Sequence, residues 1–129
     1  MTGSGTGEWG QGRVRAALLA WAGLAGAAGV ALAAVAAHRI ESPALVSAST
    51  MLILHAGAAL ALTAAGATLA RLVVAAIMLF AVSLFAGDIA LHTFTEHHLF
   101  PMAAPTGGSL LIASWLAVSG IGICALSRA

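Results

Sequence analysis

The sequence predicts an all-α integral membrane protein, a bundle of four helices that run up and down through a bilayer. Hydrophobic residues make up 61% of the 129 residues, and charged residues make up only 7%. A helix that crosses the hydrocarbon core of a membrane needs roughly 20 consecutive apolar residues. Four stretches reach that length, and only short connectors separate them: 16–37, 45–70, 72–91 and 101–127.

The same composition excludes several other classes of protein. The stretches are apolar on every side, whereas the strands of a transmembrane β-barrel alternate polar and apolar residues. The five basic residues are all arginine and are scattered, so the chain lacks the basic patch of a nucleic-acid-binding protein. We therefore expect a flexible cytoplasmic tail over 1–15, a four-helix transmembrane domain over 16–129 and no nucleic-acid partner.

The first apolar stretch is predicted to be a retained helix. Arg13 and Arg15 precede it, and Ala34-Val35-Ala36 near its end resembles the cleavage site of a signal peptide. The apolar run of a signal peptide has about 7–15 residues, and this stretch is longer. A transmembrane helix is the better interpretation.

The second helix has a clear start signal, but its length is a difficulty. Ser42 is a suitable N-cap and Pro43 a suitable first helical residue. From there the apolar stretch continues to position 70, which is more than one span needs. The polar segment 47–50 favours a break, so we expect the span to begin near Met51. His55 would then lie about one turn below the outer surface.

Small residues predict where the helices pack closely. Pro105 ends the segment that leads into the fourth helix, and the glycines after it permit close approach to a neighbouring helix. Glycines in the first helix have the same effect. The predicted packing positions are Gly23, Gly26, Gly29, Gly107 and Gly108.

The arginines predict the orientation of the bundle. With four spans, Arg13, Arg15, Arg71 and Arg128 lie on one side of the membrane, and only Arg39 lies on the other. The positive-inside rule assigns the arginine-rich side to the cytoplasm. We expect a multi-pass protein of the bacterial inner membrane with both termini cytoplasmic.

Histidine and acidic residues gather on the opposite, outward side. Asp88 is the only acidic residue within a span, and burying its charge is costly unless the carboxylate has a partner. Asp88 and His92 are four residues apart and share a helix face. We predict that His92 or His55 is the partner of Asp88, within a polar cluster that also includes His38.

Three interpretations of this polar cluster remain open. The residues hold the outer helix ends together by hydrogen bonds, or Asp88, His92, His97 and His98 bind Zn²⁺, Cu²⁺ or Ni²⁺. In the third, Asp88 and His55 form a proton or ion path. His55 alone is suited to ligate haem or a chlorin, although such a histidine more often bonds a neighbouring helix. We expect no cofactor, with a divalent metal as the alternative.

Four short motifs resemble the Domain of Unknown Function family 423. The segment 29–38 is similar to its Gly/Ala-rich first helix, and 54–56 to its Tyr-His-Ala motif. The segment 84–88 resembles Phe-Ser-Gly-Ser, although Asp88 stands where many members have serine. The segment 104–108, with Trp115-Leu116 after it, resembles Thr-Pro-x-Gly-Gly followed by Trp-Leu.

The resemblance implies a small four-helix inner-membrane protein, similar to animal transmembrane protein 256, without an established biochemical activity. The serines at 83, 109 and 114 stand in no nucleophile motif, so we do not expect an enzyme. We expect a structural or accessory subunit of a membrane complex, or a homo-oligomer. The alternative is a metal-binding, ion-binding or ion-conducting protein that uses the outward Asp/His cluster.

Overall fold

The computed structural model describes residues 5–64, 66 and 68–129, with side chains at position 7 and from position 10 onward. Almost all of this chain lies in four helices: α1 (Gly5–His38), α2 (Pro43–Thr63), α3 (Leu69–Thr95) and α4 (Ala103–Leu126). All four are long and apolar enough to cross a membrane. The predicted all-α architecture with four spans is confirmed, and it is that of a multi-pass membrane protein.

The first helix is longer than its apolar stretch. It begins at Gly5, and its membrane-compatible part extends over Gly10–His38. Most of the segment in which we expected a flexible tail is therefore helical in the structure, while Met1–Ser4 lie outside the described residues. The cytoplasmic location of this segment stays a prediction.

Side-chain caps fix the starts of the two central helices. Ser42 has an extended backbone, and its hydroxyl accepts the N–H of Leu45 at 3.2 Å. Thr68 caps α3 in the same way, by accepting the N–H of Arg71 at 3.4 Å. Such caps satisfy backbone donors that have no partner inside the helix.

The predicted start of the second helix near Met51 is wrong. α2 runs without a break from Pro43 to Thr63, which is the start that the Ser-Pro signal indicated. The extra apolar length belongs to the connector that follows, where Gly66 has a positive φ of 79°. Ala and Gly residues in that connector are as apolar as those in the helix, so hydropathy alone does not show where α2 ends.

The corrected start changes the depth of His55. Its Cα lies twelve residues after Pro43, which is about 18 Å along a helix. His55 is therefore near the middle of α2, and its predicted position one turn below the surface is wrong.

The helices have unequal roles in the bundle. α2 and α3 pack against each other, α1 packs against both, and α4 packs against α3. The core consists mainly of alanines with a few larger side chains, including Leu52, Leu72, Met78, Leu79 and Val82. We call the end of the bundle with residues 39–42 and 96–102 the histidine end, and the opposite end, with Arg15, Arg71 and Arg128, the arginine end.

Two polar contacts tie α1 to the central helices. Arg15 Nε donates to the carbonyl oxygen of Thr63 at 3.2 Å, which satisfies a carbonyl at the end of α2. Trp21 Nε1 donates to Ser83 Oγ on α3 at 3.2 Å. Within the described chain, no buried side-chain nitrogen or oxygen lacks a hydrogen-bond partner. The buried polar side chains of the described bundle therefore have the internal hydrogen bonds that a membrane interior requires.

Candidate functional site

The most polar constellation of the structure is centred on Asp88, near the histidine end of α3. Asp88 is only 2% exposed. One carboxylate oxygen accepts the backbone N–H of Leu99 at 2.7 Å, and the other accepts Nδ1–H of His98 at 2.9 Å. Both donors come from the connector between α3 and α4, which folds back over the end of α3. The carboxylate is thus held by hydrogen bonds of the kind that compensate for burial of a charge.

Asp88 also contributes to the start of α4. The N-cap residue Met102 has a left-handed backbone and offers no side-chain cap. The Ala104 N–H interacts with the Asp88 carboxylate, Ala103 N–H donates to Phe100 O, and Thr106 N–H donates to Met102 O. Residue 105 is a proline and has no N–H. The Asp88 carboxylate therefore lies beside the start of α4, where a negative charge is favourable at the helix N-terminus.

The predicted pairing of Asp88 with His92 or His55 is wrong. The imidazole that binds Asp88 is that of His98. His92 instead stacks on His98, with the ring centroids 4.1 Å apart and the planes 10° from parallel. The i,i+4 spacing does bring His92 to the same side of α3, but the side chain from the connector takes the position next to the carboxylate.

The four residues predicted to bind a metal are only partly brought together. Asp88, His98 and His92 form a contiguous row, while His97 Nδ1 lies 2.6 Å from the carbonyl oxygen of Thr95. The described residues contain no group of three or more His, Cys, Asp or Glu side chains arranged to hold a metal ion. His98 Nδ1 bonds Asp88, and its Nε2 has no hydrogen-bond partner among the described residues.

His55 belongs to a second, separate polar contact. Its Nδ1 lies 2.8 Å from the carbonyl oxygen of Met51, which requires a proton on Nδ1. Its Nε2 accepts the indole N–H of Trp115 at 3.1 Å, so this nitrogen is unprotonated. The contact fixes His55 as a neutral tautomer and joins α2 to α4.

The structure does not support the predicted role of His55 as a ligand or the predicted place of His38 in the polar cluster. A haem or chlorin ligand needs a free ring nitrogen, and both ring nitrogens of His55 have protein partners. His38, the last residue of α1, is exposed to solvent. The predicted cluster of four therefore separates into the Asp88 row, the His55–Trp115 pair and an exposed His38.

The five glycines predicted to support packing differ in how closely other atoms approach them. A Cβ on Gly107 would lie 2.7 Å from both the carbonyl oxygen of Ala81 and the nitrogen of Phe85. A Cβ on Gly29 would meet the Ile53 side chain at 2.7 Å. Gly26 and Gly108 have only ordinary contacts at 3.7 and 3.8 Å, and Gly23 has no atom within 4 Å of its Cβ position. The backbones of α3 and α4 therefore lie close together at Gly107, within the first two turns of α4.

The site as built has the chemistry of a structural polar cluster. A buried carboxylate accepts hydrogen bonds from one backbone N–H and one imidazole, and a second imidazole stacks on the first. His98 is 55% exposed and so connects the buried carboxylate to the surface at the histidine end. The arrangement orients the α3–α4 connector and fixes the start of α4.

Comparison with known proteins assigns the chain to a family. The family model described as "Protein of unknown function (DUF423)" matches residues 32–108. The chain belongs to the DUF423 family. No curated protein and no solved structure matches it. The resemblance inferred from the short motifs is thereby confirmed.

The DUF423 match covers the parts of the chain that build the Asp88 site. It contains all of α2 and α3, the connector with His98 and Leu99, and the first residues of α4 as far as Gly108. His55 lies inside the matched region, and its partner Trp115 lies beyond it. The Asp88 site therefore lies within the matched region, and the His55–Trp115 contact lies only partly within it.

The partners of Asp88 and His55 were missed from the sequence for different reasons. Leu99 and His98 are eleven and ten residues beyond Asp88, and only the fold-back of an irregular connector brings them near. The pairing of Trp115 with His55 could have been predicted from the sequence. α2 and α4 both start at the histidine end, and His55 and Trp115 are each twelve residues after the first residue of their helix. Equal offsets place two residues at the same depth, once the helix starts are known.

Proposed function

We propose that this DUF423 protein is a structural or accessory component of the bacterial inner membrane, which associates with other membrane proteins or with copies of itself. The observation that supports this role is the sparse burial of α4. Its buried residues form one narrow stripe against α3: Ala103, Gly107, Leu111 and Ser114. The rest of the helix offers a long apolar surface, including Leu116 at 67% and Leu126 at 78% exposure.

The apolar surface of α4 supports association with another membrane protein better than it supports solute transport. The clefts between the helices are lined almost entirely by apolar side chains, and ions and polar solutes need polar groups along their path. In a bilayer such a surface contacts either lipid or another membrane protein, and α4 is the least buried of the four helices, so it has the most surface left for a partner. The polar cluster at Asp88 serves this role by fixing where α4 starts and how it lies on α3.

The proposed orientation follows from charge. Arg15, Arg71 and Arg128 lie at the arginine end, and Arg39 is at the histidine end. The positive-inside rule favours a cytoplasmic arginine end. The Asp88 row then faces the periplasm in a Gram-negative cell.

Photocrosslinking from α4 tests the proposed association. We would place a photoreactive phenylalanine derivative at Leu116 and, as a matched control, at Val73, which is 48% exposed on α3. The expected result is a discrete crosslinked product from position 116 in native membranes and none from position 73. Mass spectrometry of the product distinguishes a second copy from another membrane protein.

Two outcomes contradict the proposal. One is equal, diffuse crosslinking to lipid alone from both positions. The other is a purified protein that is monomeric in mild detergent and, reconstituted alone, transports a solute at a specific rate.

Ion binding at the histidine end stays a separate prediction. Its structural support is limited to the row of Asp88, His98 and His92, with one free Nε2 on His98. Elemental analysis of the purified protein tests it. One equivalent of Zn, Cu or Ni that is lost in His98→Ala would favour ion binding, and no bound metal would exclude a stable site.

A further inference from the structure

A cleft opens between α2, α3 and α4 at the arginine end. Its volume is about 330 Å³, and its walls include Ala58, Leu62, Met78, Trp115, Gly122 and Arg71. Arg71 is the one charged residue in this lining, and all other lining residues are apolar or aromatic. We call this space the arginine cleft.

The cleft exists because α4 contacts its neighbours over only part of its length. The buried stripe of α4 ends at Ser114, and every later residue of the helix is exposed or half-buried. Small residues on the facing walls, among them Ala58, Gly122 and Ala125, leave the space between the helices unfilled. The His55–Trp115 contact closes the cleft toward the histidine end.

The dimensions of the cleft match half of a bilayer. Trp115 and Ala125 line its two ends on α4, and ten residues of helix extend about 15 Å. The hydrocarbon core is about 30 Å thick. The cleft therefore spans the depth that one lipid acyl chain occupies in a single leaflet.

Arg71 gives the mouth of the cleft a positive charge without a partner inside the protein. None of the hydrogen bonds or ion pairs among the described residues involves its guanidinium group, in contrast to Arg15, which donates to Thr63. Arg71 is also in the first turn of α3, where the helix dipole is positive and a cation is unfavourable. Both features favour an anion at this position, and guanidinium is well suited to bind phosphate.

We propose that the arginine cleft binds one anionic phospholipid, with an acyl chain between α2 and α4 and the phosphate group at Arg71. Basic pockets between transmembrane helices bind anionic headgroups in this way. The proposal is independent of the accessory role, because it concerns the single bundle. It names a ligand class for a part of the protein that is distant from the Asp88 site.

Native mass spectrometry tests the proposal directly. The purified protein, as a full chain in detergent, is mixed with equal amounts of phosphatidylglycerol and phosphatidylcholine. We expect one retained phosphatidylglycerol per protein molecule. In Arg71→Gln the preference for phosphatidylglycerol should fall about fivefold, the factor that one basic residue contributes at an anionic lipid surface.

Two matched controls separate the cleft from general effects. Arg128→Gln removes the same charge from the same end but outside the cleft, and should keep the preference. Gly122→Leu fills the cleft and should lose both lipids, whereas Gly120→Leu, two residues away and outside the lining, should bind as the unmodified protein does. The Cβ position of either glycine has no atom within 4 Å, so both variants are expected to fold.

Four results would overturn the proposal. The first is the absence of a preference for phosphatidylglycerol in the unmodified protein, and the second is an equal loss of that preference in Arg71→Gln and Arg128→Gln. The third is full lipid binding by Gly122→Leu while circular dichroism shows a folded helix bundle. Complete displacement of the lipid by inorganic phosphate would also contradict it, because the site would then recognise phosphate without the acyl chain.

Discussion

The indole N–H of Trp115 donates to Nε2 of His55 over 3.1 Å, and through this bond α4 contacts α2 near the middle of the bundle. The two rings are nearly perpendicular, at 65°, with centroids 6.1 Å apart. α4 otherwise packs on α3. This polar pair thus holds α4 to α2.

Breaking this bond should produce a measurable coupling energy. In a double-mutant cycle with Trp115→Phe and His55→Leu, we expect a coupling of about 0.6 to 1.7 kcal/mol, between the average and the maximum found for hydrogen bonds between membrane helices. The measurement is unfolding in mixed detergent micelles. Trp21→Phe combined with His55→Leu is the control, because Trp21 bonds Ser83. If the coupling between Trp21 and His55 were as large as that between Trp115 and His55, the hydrogen bond between Trp115 and His55 would be contradicted.

Replacing Asp88 should separate its hydrogen bonding from its charge. Asp88→Asn keeps an acceptor for the Leu99 N–H and should cost about 1 kcal/mol of unfolding free energy, whereas Asp88→Ala removes the acceptor of both the Leu99 N–H and His98 and should cost about 3 kcal/mol. Glu96→Gln, on the exposed connector, is the control and should be nearly neutral. Equal destabilisation by the two Asp88 variants would show that the charge, and not the acceptor, matters.

Gly107 is the position where added volume should be least tolerated. The Cβ of Gly107→Ala meets two backbone atoms at 2.7 Å, and backbone cannot move aside as a flexible side chain does. We expect a loss of about 2 kcal/mol. Gly108→Ala, whose Cβ approaches only the Phe85 ring at 3.8 Å, is the neighbouring control and should be neutral or stabilising. Thermal stability in detergent that is the same for both variants would refute the close approach of α3 and α4.

Reporter fusions should show which side of the membrane each end faces. A reporter that is active only in the cytoplasm should be active after Ala129 and silent in the connector 96–100. A reporter active only in the periplasm provides the control and should give the reverse pattern. The opposite result with both reporters would place the Asp88 row on the cytoplasmic side.

The fold was predictable from the sequence because hydropathy alone identifies four spans, but the ends of helices were harder to predict. For α2, the local signal at Ser42 and Pro43 was right, and the argument from length, which moved the start to Met51, was wrong. Length failed because the connector that follows Thr63 is as apolar as a helix. His55 was then assigned to the wrong depth, and Trp115 was not considered as its partner.

At the candidate site, contacts within one helix were predictable from the sequence, and contacts with the connector were not. Helical spacing correctly brought His92 to the side of Asp88, since i,i+4 geometry depends only on the helix itself. The imidazole of His98 and the N–H of Leu99 reach Asp88 through the path of a connector without regular structure. The path of the connector follows no helical or strand periodicity. The partners of the Asp88 carboxylate could therefore be identified only from the structure.

The burial of Asp88 in the membrane depends on residues of the connector, which are synthesised after α3. On insertion scales an aspartate at the centre of a span costs about 2.5 to 3.5 kcal/mol, and Asp88 is about 10 Å from the end of α3 at Thr95. Its hydrogen-bond donors belong to residues 98 and 99, which leave the ribosome after α3. The charge of Asp88 is therefore compensated only once the connector has followed α3, and we expect α3 and α4 to reach their stable position in the membrane as one hairpin.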